Sequence, residues 1–205
     1  QVFNIETFTH VALDGTDIIA AGNRYNARNG IPYNEFFIFA RFKTTGAVDT
    51  SFSTDGKETF QVAPDISHDI TGLHGVSGKM LASFDAGTTT DFFNALRLNN
   101  RGGLDNTFGA GGYASIDFES NGSNDGTDVS VLQGDGKLYV IGNPGGGVDI
   151  GAIRLTPNGT LDVGFGTGGE TGVDVPSLGS PKDAVLQPDG KLLVLNGSSS
   201  SIKLT

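Results

Sequence analysis

Three histidines, one Ser-His-Asp run and a few acidic or aromatic loops are the places where this chain could do chemistry. Ser67, His68 and Asp69 are consecutive. A nucleophile, its base and the orienting acid must converge through space, and three adjacent residues do not line up that way, so no hydrolytic site is read there. His74 aligns with Gln133 and Gln187 of later repeats, and His10 with Ile70 and Val129, which makes them variants of structural positions. No HExxH run or clustered ligand pattern points to a catalytic metal. No catalytic residue is assigned, and the expectation is a non-enzyme.

Two segments carry ligand chemistry. In SNGSNDGTD (120–128), Asn121, Ser123 and Asp125 alternate ahead of Gly126, which makes a weak calcium candidate. The bidentate Glu of a complete calcium loop is missing, and no other cofactor is expected. The second segment is NRYNARNGIPYNE (23–35). Arg24, Tyr25, Asn26, Arg28, Tyr33 and Asn34 supply aromatic faces, guanidinium forks and amides. These groups suit a sugar or a protein surface.

Something must position these loops, and the chain repeats itself to do so. VDTSFSTDG (48–56), LDNTFGAGG (104–112) and LDVGFGTGG (161–169) recur with separations of 56 and 57 residues. Arg41, Arg97 and Arg154 precede Asp49, Asp105 and Asp162, and Phe52, Phe108 and Phe165 follow three residues after each Asp. Lys203 is the cation of the last, incomplete copy. A second element shares the period: VLQGDGKLYVIG (131–142) matches VLQPDGKLLVLN (185–196). Residues used equally in every copy are read as architecture, with the Phe as an apolar anchor, the Asp as a turn cap and the glycines at positive φ.

Each unit reads as four short strands; for one copy these are 128–133, 137–142, a run within 149–156, and 170–175. The strands are rich in Val, Ile and Leu and bounded by Gly, Asn, Asp and Pro, with no sustained helical period. Four-stranded units at this period describe an all-β fold, the β-propeller. The expected units are 9–63, 69–118, 128–175, and 182–205 completed by residues 1–5 as a closing strand, giving one closed domain of four blades. Asn121, Asn158 and Asn196 head sequons that are read as Asn-Gly turns.

LQPDGKLLVLN and RLTPNGTLDVGFGTGG resemble the delta-60 repeat, found in tandem in large secreted or surface-exposed bacterial proteins. The resemblance implies a propeller and an extracellular or cell-surface bacterial setting. It supplies no catalytic residues.

Composition narrows the partners. The net charge of −10 and pI near 4.5 disfavour nucleic acid and anionic membranes. There is no cysteine, and no apolar run long enough to span a bilayer. The chain begins at Gln1, which is read as a processed or excised piece of a larger polypeptide or assembly.

Copies differ most between their second and third strands. That connection takes 19 residues in the first unit (Gly22 to Arg41), then 13, 12 and 7. The extra length is the 23–35 segment. The expected function is therefore recognition or adhesion, with a glycan or other cell-surface ligand bound on the face carrying that loop. The alternative is a structural spacer or assembly domain without a small ligand.

Overall fold

The computed structural model describes residues 2–28, 31–61, 69–86, 92–120, 122, 125–174, 179–198 and 201–204. Among these, the chain is all β, apart from a short 3-10 turn at Phe118–Ser120. Sheet 1 is β1 (Val2–Asp14), β2 (Asp17–Arg28), β3 (Ile31–Phe42) and β4 (Lys57–Phe60). Sheet 2 is β5 (Asp69–Val76), β6 (Lys79–Asp85), β7 (Phe93–Leu98) and β8 (Tyr113–Ile116). Sheet 3 is β9 (Gly126–Leu132), β10 (Leu138–Asn143), β11 (Ile150–Leu155) and β12 (Glu170–Val173). Sheet 4 has three strands: β13 (Pro181–Leu186), β14 (Leu192–Ser198) and β15 (Ser201–Leu204). Every pairing is antiparallel and joins strands adjacent in sequence.

The first hairpin of each sheet follows its turn residues. Sheet 2 uses a two-residue turn, Ser77-Gly78, with positive φ at both positions (52° and 86°). That is the hairpin geometry whose twist matches the strands. The DGK turns of sheets 3 and 4 are longer. Asp135 and Asp189 accept the backbone N–H of Lys137 and Lys191, both at 3.2 Å.

The sheets stack in chain order, and each gap holds one core. Ile19, Ala21, Phe37 and Phe39 of sheet 1 meet Leu73, Met80, Phe84 and Leu96 of sheet 2. Leu81, Phe93 and Ala95 of sheet 2 meet Leu138, Val140 and Leu155 of sheet 3. Tyr139, Ile141 and Ile150 of sheet 3 meet Val194, with Ala184 and Leu192 beside it. Sheet 2 is covered on both faces, so every residue of β7 is buried and its sequence, FNALRL, does not follow strict alternation. The first strands of the sheets, β1, β5, β9 and β13, pack successively against one another.

Two expectations need correction. Of the residues expected to complete the fourth sheet, 1–5, Gln1 lies outside the described residues and Val2–Ile5 pair elsewhere: Val2–Phe8 runs along Gly22–Arg28 and lengthens β1. The long β2 offers a continuous ladder of partners at no loop-closure cost. Among the described residues, no strand pairing joins sheet 4 to sheet 1; Val11, Leu13 and Val185 are 72%, 68% and 53% exposed, whereas Ala20, Ile38 and Ala40, on the same face of sheet 1 as Val11 and Leu13, are buried. Asn196 is not in a turn but lies within β14, fully buried, paired with Pro181 and Lys203. Gly197 gives β14 room for the Lys182 stem, which a Cβ would crowd at 3.2 Å.

Candidate functional site

The repeated loop is a structural joint between the third and fourth strands. In sheet 2, Arg97 Nε donates to Asp105 Oδ2 at 2.8 Å, and Arg97 Nη2 donates to Thr107 Oγ1 at 3.0 Å. Asp105 Oδ1 accepts the Thr107 backbone N–H at 3.1 Å, capping the turn as expected. The guanidinium sits 4.8 Å from the centroid of the Phe108 ring, a cation–π distance. Sheet 1 repeats this with Arg41, Asp49, Ser51 and Phe52, and sheet 3 with Arg154, Asp162, Gly164 and Phe165. Lys203 would be the fourth cation, but its side chain lies outside the described part of the chain.

The joints also fasten neighbouring sheets. Ser53 N–H donates to Arg101 O at 2.9 Å, and Gly109 N–H to Asn158 O at 2.7 Å. Arg97 Nη1 reaches Pro157 O. At Gly109 (φ +52°) a side chain would strike the Tyr113 carbonyl, and only glycine fits. Burial alone would raise the Asp105 carboxyl. Hydrogen bonds from Lys79 and Thr107, with the Arg97 charge, outweigh it and hold the group well below the usual range. The side chains named here are partnered within the joint or with the next sheet.

The described residues of the 23–35 segment are strand rather than loop. Residues 23–28 and 31–35 belong to a hairpin arm, in which β2 and β3 pair as far as Arg28 and Ile31, with the first half of β1 as a third strand. Length and amide-rich composition hid an alternation that two-residue periodicity would have revealed. Arg24, Tyr25 and Asn26 are half-buried. Alternation places Arg24 and Asn26 on one face and Tyr25 on the other, so the candidate set does not form one cluster. Tyr33 is the extra residue of a bulge, because Asn26 pairs with Asn34 and Ala27 with Pro32. The strands at Arg28, Tyr33 and Asn34 are described, and their side chains are not. Asn23 Nδ2 donates to Glu35 Oε1 at 2.6 Å, tying β2 to β3 at the base of the arm.

Of the calcium candidates, Asn121 and Ser123 lie outside the described residues. Asp125 is fully buried, and its Oδ2 accepts the Phe118 backbone N–H at 2.7 Å. That bond ties down the connection from sheet 2 to sheet 3. Phe118 itself packs edge-to-face on Phe93, with centroids 5.8 Å apart. It lies outside the motifs read as repeated, where the other copies carry Val62 and Val175 in the sequence, and the reading did not single it out. Among the described residues, no group of three or more His, Cys, Asp or Glu could hold a metal ion. Ser67 and His68 are also outside the described residues, while Asp69 opens β5 opposite Asp85.

Sequence reasoning missed a polar seam between the first strands. His74 Nε2 lies 2.9 Å from Ser130 Oγ on the next sheet, Ser83 Oγ donates to Ser130 at 2.8 Å, and Thr71 Oγ1 is 2.9 Å from Ser83. His74 is not equivalent to Gln133 in space. The sheet 2 turn is shorter, and the strand opposite pairs His74 with Leu81, just as Val131 pairs with Tyr139. Gly72 makes the close approach possible, because a Cβ there would strike Ser130 Oγ. Burial lowers the His74 imidazole to about 4, with a further push from nearby His10.

A Ser–His pair at this distance has the outline of an activated nucleophile. The charged neighbour of His74 is another histidine rather than an orienting carboxylate, and Ser130 is 7% exposed. The pair is suited to satisfying buried polar atoms between two sheets. Near it, burial raises the Asp128 carboxyl to about 6, with Lys182 opposing and Asp85 reinforcing the rise. Side chains of sheets 2, 3 and 4 thus interact at the end of the stack opposite the joints.

Residues 133–165 match the family described as "Domain of unknown function (DUF5122) beta-propeller". The match runs from the DGK turn through β10 and β11 to Phe165 of the third joint. No match is found among curated proteins. Among solved structures, a mannose phosphorylase from Leishmania mexicana in complex with phosphate ion is similar over 95% of this chain, at 12% identity and a TM-score of 0.42. The chain spans 64% of that enzyme's length. The matched stretch lies within sheet 3, and the four antiparallel sheets around it are all-β and propeller-like in strand order.

Proposed function

We propose that this protein is a non-enzymatic recognition module built from delta-60-type repeats, belonging to a secreted or surface-exposed bacterial protein. Its ligand is a glycan or another cell-surface molecule, bound along the arm of sheet 1. One observation carries the reading: β2 and β3 are 12 residues each, whereas the corresponding strands of sheets 2 and 3 have 6 or 7. The added length presents Arg24, Tyr25 and Asn26, a polar and aromatic set found on no other sheet. A scaffold with one elaborated element is the usual way a fold acquires a site. The test screens glycans and bacterial or host surfaces with wild type and with Tyr25→Ala/Tyr33→Ala. Binding by wild type and loss in the variant is expected; equal binding by both removes the arm as the site.

A second reading is an assembly domain without a small ligand. The exposed apolar side chains at the two ends of the stack, Val11 and Leu13 against Val185, favour it.

A further inference from the structure

Strand register sets out the face of the arm that carries Arg24 in rows. Partners across antiparallel strands project to the same side of a sheet. One row holds Phe8, Gly22 and Ile38, the next Glu6, Arg24 and Phe36, and the next Asn4 and Asn26. Glu6 stands directly opposite Arg24, yet its carboxylate is taken by Lys57, whose Nζ donates to Oε2 at 2.5 Å. Among the described residues, Arg24 has no hydrogen-bond or ion-pair partner, and its Nε is shielded from water as well. Elsewhere in the fold the same atom is always matched: Nε of Arg41, Arg97 and Arg154 donates to an Asp carboxylate at 2.7 or 2.8 Å. A guanidinium N–H withdrawn from water without an acceptor costs free energy that an arriving acceptor recovers. Arg24 is only half-buried and its two terminal nitrogens are not enclosed, so an acceptor can approach from outside.

We propose that Arg24 is the seat of a carboxylate, and that the ligand of the arm is an acidic sugar. This rests on the reading of the arm as a recognition site and names the chemistry that the site takes. The edge of a guanidinium that presents Nε and one Nη matches a carboxylate with two parallel bonds. The rows around it suit the rest of a sugar. Phe8, 39% exposed, and the half-buried Phe36 offer apolar ring faces, and Asn4 and Asn26 offer amide donors and acceptors. Local charge agrees: residues 23–34 contain Arg24 and Arg28 and no Asp or Glu, in a chain of net charge −10. The acidic remainder of the chain repels polyanions, which favours a single carboxylate over a densely sulfated or phosphorylated chain. Tyr25 belongs to the opposite face, in the row of Ile5 and Glu35, so Arg24 and Tyr25 report on different parts of a bound sugar.

The test is titration calorimetry with sialylated and uronate-containing oligosaccharides, and with the same oligosaccharides after reduction of the carboxyl to a primary alcohol. At least one acidic oligosaccharide should bind, and reduction should weaken it more than about tenfold. Arg24→Gln should weaken the acidic form by a similar factor and leave the reduced form unchanged, because the two changes remove the same contact. Arg24→Lys, which keeps the charge and loses the fork, should fall between them. Lys57→Met frees Glu6 to pair with Arg24 and should also weaken the acidic form, and adding Glu6→Gln should restore it. Circular dichroism checks that each variant is folded, and Tyr25→Ala reads the arm independently of Arg24. Acidic and reduced forms that bind alike, with binding lost in Tyr25→Ala, overturn the carboxylate and leave the arm reading standing. Equal weakening of both forms by Arg24→Gln overturns it too. If none of these oligosaccharides binds wild type, the acidic sugar is overturned, and the arm reading stands or falls on the surface screen.

Discussion

Along one rim of the stacked sheets, three joints share an Arg–Asp pair, a capped turn and a Phe beside the guanidinium; along the opposite rim, the described features differ from sheet to sheet. The Arg-Asp pairs of the first two joints are 2.7 and 2.8 Å long and buried, with a Phe at 0% and 1% exposure beneath them. The opposite end carries the arm of sheet 1, the 117–125 connection tied by Asp125, and the strand ends bearing Asp85 and Asp128. Repetition marks what every sheet needs in order to stack. A feature present in one sheet is free to differ, and the proposed recognition is placed there for that reason.

The contrast is most severely strained by removing a plug. Phe108→Ala is expected to destabilise by about 3–5 kcal/mol, as a fully buried ring leaves a cavity between sheets 2 and 3. Phe165→Ala should cost clearly less, because Phe165 is only half-buried against the smaller sheet 4. Urea denaturation of both variants measures the difference, and equal losses would mean that the joints do not act through packing.

Next comes the ion pair. Arg97→Ala removes the buried partner of Asp105, whose side chain is 7% exposed and keeps only the more exposed Lys79 at 2.7 Å, and should cost at most about 3 kcal/mol, the lower end for a broken buried pair. Arg154→Ala leaves Asp162 more exposed and still held by Lys137 at 3.0 Å, so its midpoint should fall by less.

The seam predicts a pH effect. Folded His74 is neutral above about 4, whereas in the unfolded chain it stays protonated up to its ordinary value near 6.5. The unfolded state binds more protons in that window, so stability rises with pH between about 4 and 6.5. His74→Gln should flatten this part of the profile. Asp128 works in the opposite sense: its folded carboxyl, raised to about 6, holds a proton that the unfolded chain releases near 4, so stability falls as pH rises across that range. Asp128→Asn should remove the loss at neutral pH. Thermal melts across pH 4–8 read both slopes against wild type.

The smallest stability effect is expected in the arm. Tyr25→Ala changes a half-buried side chain near the end of a hairpin and should cost under about 1 kcal/mol by the same melts. A larger loss would make the arm a structural element and blunt the contrast.

What repeats was legible before the fold was seen. The strands expected at 128–133, 137–142 and 170–175 are found at Gly126–Leu132, Leu138–Asn143 and Glu170–Val173. Three copies of Arg, Asp and Phe at one spacing defined the joint, because each copy checks the others. What occurs once was not legible. His74 was aligned by its neighbours, and the two-residue Ser77-Gly78 turn shifts it by register into contact with Ser130. The 23–35 segment read as a loop because its polar residues mask the alternation of a strand. Val2–Phe8 has an apolar pattern that suits any strand edge, and the nearest long partner, β2, takes it.

The proposed recognition lies with the unique arm, and stability with the repeated joints. A ligand recovered from the surface and glycan screen, titrated against Arg24→Ala/Tyr25→Ala and against Arg154→Ala, tests both halves together. The arm variant should lose more than about tenfold in affinity, or roughly 1.4 kcal/mol, while the joint variant stays within about twofold of wild type. An arm variant that binds as well as wild type, with the loss in Arg154→Ala instead, would contradict it.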